Sequence, residues 1–545
     1  MSMSCMSFRK AFTITMLSLC AWMGTHAQDT LSRQTVEIIS AYKPHLRNAV
    51  KINFAASPLA ADTAAPRLAY HIPAQNLFFT HSPVVLQPQT LSMDTSLLLG
   101  TRNYVKAGFG NFTTPYFEGA LGFGNGKDGL LNIYGDYISS RGKIKNQDFS
   151  KINLKASGIY GLGDNEVYGS FGISTNEQYL YGYDHDLYDF DKKDIRRSFR
   201  NMSLTAGFRN KEVNDLGINY DPHIELNAFT RENKVDESSL FVNLPAEKAF
   251  EENMKIKLNV LAHINGYKVN NTSLKVNNSL FQISPSFEYR NDVFTLNAGI
   301  TPAWNNAVST LLPNIYGEVQ LEENAIVIQG GWVGRYIANS YRTLTGDNPF
   351  ITDPVFLLNT KEMQYYGGVK ATVGSHFNFN AKAAFIRYTD MPLYINDGTD
   401  PKDFLLVYES HLNDLQIHGD MNFIKQDKFS VTAGVDLNYY SGLKDNTQAW
   451  GLYPMKVTGS IRWNAMDQLL IKGDLVSFSG AKALNGGLEK TLNGGTDLSI
   501  GAEFKINKMF SAWFDLNNIL NSKYEWWYRY PAYGLQAIGG VIIRF

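Results

Sequence analysis

The chain has 545 residues, 50 Lys and Arg against 51 Asp and Glu, and a net charge of −1, which argues against nucleic acid as its main partner. Both cysteines, Cys5 and Cys20, lie in the first 27 residues, so disulfides, thiolate nucleophiles and cysteine metal sites are excluded from the remainder. No run of about 18 apolar residues follows that segment, which excludes helical membrane spans, while 33 Phe, 30 Tyr, 8 Trp and 45 Gly suit strands that meet lipid.

Residues 1–27 read as a secretory signal: Arg9 and Lys10 precede an apolar stretch at 11–24, and Thr25-His26-Ala27 is a small-x-small site before Gln28. Residues 28–102 form an N-terminal segment with prolines at 44, 58, 66, 73, 83 and 88, which suit an extended arm or a reduced plug. Within it Val36, Glu37, Ile38 and Ile39 have the apolar-acidic look of an extended contact box.

From residue 103 to 545 one pattern runs without a linker. Ile152, Leu154, Ala156, Gly158 and Tyr160 alternate with Lys151, Asn153, Lys155 and Ser157, and Phe429 to Tyr439 alternates the same way, as strands with one apolar and one polar face do. Short polar turns punctuate the strands at 125–128, 163–165, 211–215, 290–292, 322–324, 374–376, 426–428, 464–466 and 507–508, with a less distinct one near 245–252. Ten such turns separate eleven hairpins, predicting an all-β, antiparallel transmembrane barrel of about 22 strands with both ends on the periplasmic side. The intervening connections, as at 177–196, 338–362, 390–401 and 521–531, are expected to be longer and to face outward. A soluble series of β-sandwiches is the alternative, but sandwich strands are shorter and do not divide tight turns from long loops.

The connection at 177–196 carries Asp184, Asp186, Asp189, Asp191 and Asp194 among tyrosines, which could offer oxygen ligands to Ca²⁺ or a surface to a cationic or sugar ligand; a solvated loop neutralised by Lys192, Lys193, Arg196 and Arg197 is the plainer reading. Lys255, Lys257, Lys382, Asp436, Glu503 and Lys505 fall on lumen-facing positions and carry both signs, so pairing with neighbours is expected rather than a single-sign filter. Trp526, Trp527 and Tyr528 beside a strand end are expected at the headgroup level as a membrane-anchoring belt. The last segment, 533–545, alternates up to the terminal Phe545, the expected insertion signal.

Asn517-Asn518-Ile519-Leu520-Asn521-Ser522-Lys523-Tyr524, followed by Tyr530-Pro531 and Phe545, resembles the closing hairpin of TonB-dependent outer-membrane receptors. The resemblance covers the barrel and implies a 22-stranded wall in the outer membrane of a Gram-negative bacterium, solute binding and transport, and partnership with the TonB system through residues 36–39. It departs from the family in its N-terminal segment, which is too short for a full plug. A lumen of that width must be filled by this segment, by infolded outer loops or by a partner such as a surface lipoprotein or another outer-membrane protein. That mismatch leaves two alternatives open: a structural or accessory subunit of an outer-membrane complex, and a passive diffusion channel.

No enzyme and no cofactor is expected. Gly124, Gly126 and Gly129 have G-x-G-x-x-G spacing, but a strand pattern follows at once where a nucleotide site needs a helix; H-E-x-x-H and G-x-S-x-G are absent.

Overall fold

The computed structural model describes residues 103–124, 128–321, 326–374, 376–400, 402–425 and 428–545. The signal segment, the 28–102 segment and the box at Val36, Glu37, Ile38 and Ile39 lie outside the described residues. Strands dominate from Tyr104–Gly110 to Gln536–Arg544, and each pairs antiparallel with its neighbour in sequence. Ile218–Tyr220 and His223–Arg231 are one strand interrupted at Asp221 and Pro222, so the 23-stranded sheet is a 22-strand barrel. The ring shuts where Tyr104 meets Arg544 and Gly110 meets Ile538.

Closure follows from the solvent. A strand edge in hydrocarbon leaves N–H and C=O groups unpaired at several kcal/mol each, roughly, and only a ring has no edge. The outward positions are greasy all round the wall: Phe117, Leu154, Phe171, Leu204, Leu226, Ile256, Ile300, Trp332, Ile417, Ile461 and Phe514 stand exposed, as lipid-facing residues must.

At the seam the wall is fitted by glycine. Gly108 pairs directly with Gly540 on the lumen side, and the Trp513 ring lies across them, its Nε1 donating to the Ala107 carbonyl at 3.2 Å. A Cβ on Gly108 would run into that ring, and one on Gly540 into the Ala107 carbonyl. Lys106 lies 4.0 Å from the Trp513 ring centre and 3.7 Å from Asp515, tying the first strand to the strand beyond the last.

The inner wall is polar and paired. Lys255 meets Glu247 at 3.3 Å, Lys257 meets Glu288 at 2.5 Å, Glu503 meets Arg544 at 2.6 Å, and Asp436 holds His418 Nδ1 at 2.7 Å. The expectation of mutual neutralisation holds for these positions.

The tight turns that the described residues cover fall at one end; the one expected near 245–252 is displaced to Glu252 and Asn253, because Val235–Glu251 continues as strand. At the other end the expectation of longer connections holds only in part: those at 111–113, 232–234, 270–274 and 306–307 are also tight, several built on left-handed Asn residues such as Asn233, Asn271 and Asn306. The long connections are those at 180–195, 338–359, 390–411, 442–454, 479–494 and 518–535.

Replacing Gly108 with Leu should overpack the seam against Trp513 at a cost of about 1–3 kcal/mol. The check is heat-modifiable migration in detergent: the unfolding midpoint should drop, whereas a Leu at the lipid-facing Gly119, where a Cβ finds only ordinary contact, should leave it nearly unchanged.

Candidate functional site: the domed outer mouth

The long connections do not stand away from the barrel; they meet over it. Leu180, Tyr181, Tyr183, Ile195, Tyr341, Leu344, Phe350, Ile351, Leu357, Tyr394, Phe404, Tyr453, Phe478, Tyr524, Trp526, Trp527 and Tyr530 form one buried apolar cluster drawn from loops all round the ring. Tyr530 is its hub. Its ring stacks on Phe350 at 3.7 Å, meets Tyr181 edge-on at 4.9 Å, and its hydroxyl donates to the Lys402 carbonyl at 2.5 Å. Gly182 leaves room for that ring, since a Cβ there would collide with it. Burial pushes the Tyr530 phenol far above its usual value, so it stays a donor.

These contacts cross the mouth. Arg197 lies on the sixth strand, Arg196–Asn210, and bonds at 2.7 Å to Asp403 from the connection that follows the fifteenth strand, Phe377–Thr389. Arg231, on His223–Arg231, reaches Asp353 at 2.7 Å and the Tyr341 hydroxyl at 3.2 Å. Asp353 belongs to the 338–359 connection, which also carries a short helix, Tyr341–Asp347, capped by Ser340. Glu237 from the wall receives the backbone N–H of Tyr341 at 2.5 Å and of Arg342 at 3.0 Å. Burial raises the Asp403 carboxyl, and Arg197 and Lys402 oppose that rise. Such a pair costs most when one partner is removed and the other is left charged and buried.

A second knot ties neighbouring loops. Glu409 accepts the backbone N–H groups of His411, Lys444, Asp445 and Asn446 at 2.8–3.2 Å. Burial pushes this carboxyl up, but the converging donors outweigh it and hold it below the usual range.

The closing-hairpin motif has a local physical role. Asn518, fully buried with φ 48°, donates its amide to the Ser522 and Tyr533 carbonyls and accepts the Ser522 N–H, while its own N–H reaches Asp497. Asn521, also left-handed, accepts the Leu535 N–H at 3.0 Å. Together they turn the chain so that Trp526 to Tyr530 lean back over the mouth. Tyr524 anchors the turn by donating to Asp497 at 2.8 Å.

Two expectations are corrected here. Trp526 and Trp527 are each only 3 % exposed and belong to the dome core, stacked on Phe478 at 4.0 Å and edge-on to Tyr394 at 5.1 Å, so neither forms a lipid-facing belt. Tyr528, half-buried, packs on the same core under Lys490 and Arg529. The acids of 180–195 do not converge either: Asp189 pairs with Lys145, Asp191 with Lys193, and Asp184 faces Arg529 at 4.0 Å, while Asp186 stands exposed. Among the described residues no three His, Asp or Glu side chains are grouped as a metal ion requires. Phe545 follows directly on the last strand, Gln536–Arg544, exposed at the end opposite the dome. Arg197, Asp403, Arg231, Asp353 and Glu409 were not singled out as contacts, because their partners lie far away in sequence.

No protein-family model matches the chain, and no curated protein sequence matches it. Solved structures do match. The siderophore receptor PirA from Acinetobacter baumannii aligns with TM-score 0.63 at 10% identity, covering 82% of this chain and 80% of that one. The FrpB iron transporter from Neisseria meningitidis aligns at 0.62 and 10% identity over 82% and 81%. The ferripyoverdine receptor of the outer membrane of Pseudomonas aeruginosa aligns at 0.60 and 9% identity over 82% and 72%.

The fold is that of the TonB-dependent receptor barrel. At these identities the likeness is one of architecture, that of an outer-membrane β-barrel wall.

Tyr530→Ala should cost the dome about 3–5 kcal/mol while leaving the wall intact: protease cleavage near 181, 350 and 404 should accelerate without a change in heat-modifiable migration. Acid should loosen the knot at Glu409. A carboxyl depressed by folding contributes stability that is full above its unfolded value, about 4.3, and fades as pH falls through the folded one. Hydrogen exchange of the Lys444, Asp445 and Asn446 amides should therefore rise, relative to a reference amide, below about pH 4.3, and Glu409→Gln should remove that dependence.

Proposed function

We propose that the chain is a gated solute receptor of the outer membrane, of the TonB-dependent type, acting through conformational change and without covalent chemistry. The observation that carries this reading is the dome: loops meet over the mouth through Tyr530 and Phe350, and wall strands hold loops from distant parts of the ring through Arg197–Asp403 and Arg231–Asp353. Entry from outside then requires these contacts to part, which disfavours a passive diffusion channel. The neighbours include receptors for siderophores and an iron transporter, which supports ferric chelates as the first solutes to test. In this reading residues 28–102, which precede the first strand in sequence, act from the periplasmic side, with residues 36–39 as the contact for TonB.

A second reading, a structural subunit of a larger outer-membrane assembly, is favoured by one feature: the dome is filled by its own aromatic side chains. Recovery with fixed outer-membrane partners in stoichiometric amounts under mild detergent supports the subunit; cross-linking of cysteines placed at 36–39 to TonB supports the receptor.

In planar bilayers the purified protein should show no large steady conductance. Steady ohmic currents on the scale of an open pore of this width would exclude the gated reading. Iron-limited uptake of labelled ferric chelates by cells with and without the protein tests the solute class.

A further inference from the structure

We propose that the outer rim between the sixth and tenth strands seats phosphate-bearing lipid headgroups of the outer leaflet, held by Arg200, Lys268 and Lys275. The inference rests on the membrane barrel itself and not on the receptor reading.

Five residues stand in one register across five strands: Arg200 opposite Thr230, Thr230 opposite Asp236, Asp236 opposite Lys268, and Lys268 opposite Lys275. Their alternate neighbours Arg231, Glu237 and Tyr267 point inward and are buried beneath the dome, so this row points outward. Arg200, Lys268 and Lys275 are exposed. Below the row the same outward face turns apolar, two residues from Arg200 at Met202, four from Thr230 and Lys268 at Leu226 and Ile264, and six from Lys275 at Phe281. The cations therefore stand at the level where hydrocarbon gives way to headgroups. The next outward row holds Met202 below Arg200 and then Ala228, Ser238, Gly266 and Asn277, small or neutral side chains that leave a headgroup room to approach.

The pairing is one-sided. Lys268 and Lys275 face each other directly, an arrangement that is unfavourable on a strand ladder without an anion between them. The single acid in the row, Asp236, already serves Lys268 at 3.5 Å and receives the Asn270 amide at 2.9 Å. A phosphate held at the membrane surface would lie between the two lysines, with Arg200, whose planar fork suits phosphate, at the other end of the row. Because the row sits directly above the lipid-facing band, the anion is one carried by lipid rather than one free in solution.

The test uses the whole protein in phosphatidylcholine nanodiscs containing a small fraction of diphosphorylated lipid A, with bound lipid counted by native mass spectrometry. Wild type should retain lipid A in preference to phosphatidylcholine and lose that preference for the dephosphorylated lipid. Arg200→Gln with Lys268→Gln and Lys275→Gln should weaken retention about a hundredfold, about fivefold per cation; Lys193→Gln, whose partner is Asp191, should not. Heat-modifiable migration confirms that each variant is folded, and the dephosphorylated-lipid comparison needs no variant. Equal retention by the triple variant, equal retention of the dephosphorylated lipid, or displacement by millimolar inorganic phosphate would each overturn the proposal.

Discussion

Inside hydrocarbon every backbone N–H and C=O must find a partner within the protein, and from that one demand the rest of this structure follows. It forces the first strand onto the last, makes the strand number even when both ends share a side, and sends every outward side chain to the lipid. It also explains the seam. The closing pair brings together segments separated by most of the chain, and the fit there is made by removing side chains at Gly108 and Gly540 so that Trp513 can lie across both strands. The short first strand, Tyr104–Gly110, gains a further tie through Lys106 to Asp515.

The same demand decides where a hydrophobic core can form. Lipid covers the outside of the wall, and the inside is lined mainly by paired polar groups, with small apolar clusters at the seam around Trp513 and Ile542 and at Tyr366, Ala384 and Ile386. Among the described residues the dome holds the largest buried apolar cluster, with Tyr530 stacked on Phe350, tilted against Phe404, and Tyr524 edge-on to Phe478. Its polar contacts are placed at its margins. Arg197, Arg231 and Glu237 reach from the wall to the inbound loops, fixing the position of a core whose own contacts are largely non-directional.

Much of the wall was legible because period-two alternation and polar turns are local signals, and each lipid-facing strand repeats them. The dome was not. Trp526 and Trp527 sit beside a strand end, where a girdle and a loop core call for the same residue types, and only the direction in which Asn518 and Asn521 turn the chain separates the two. Adjacent acids at 184–191 suggested a shared ligand, yet Asp184, Asp189 and Asp191 each have a cation of their own, one of them, Arg529, from the far end of the chain, and Asp186 stands apart. Arg197 and Asp403 are 206 positions apart, a separation at which residue spacing carries no information. The tight outer turns escaped because Asn233, Asn271 and Asn306 supply the left-handed backbone without the glycine that flags a turn.

The inner wall limits where selectivity can reside. Lys257–Glu288 and the His418 pair with Asp436 close their charges between neighbouring strands, and Lys370–Glu318 and Glu503–Arg544 close theirs across one intervening strand, so at these positions the wall presents short dipoles rather than a field of one sign. Such a surface hydrogen-bonds whatever polar matter lies against it but discriminates little by charge. Discrimination must then come from groups that change partners when the mouth changes state. Those are the contacts that cross the dome: a ligand or partner alters the closed arrangement only by binding the parted loops more tightly than the joined ones, and what it must offset is the burial of Tyr530 and its ring neighbours together with the two arginine–aspartate pairs.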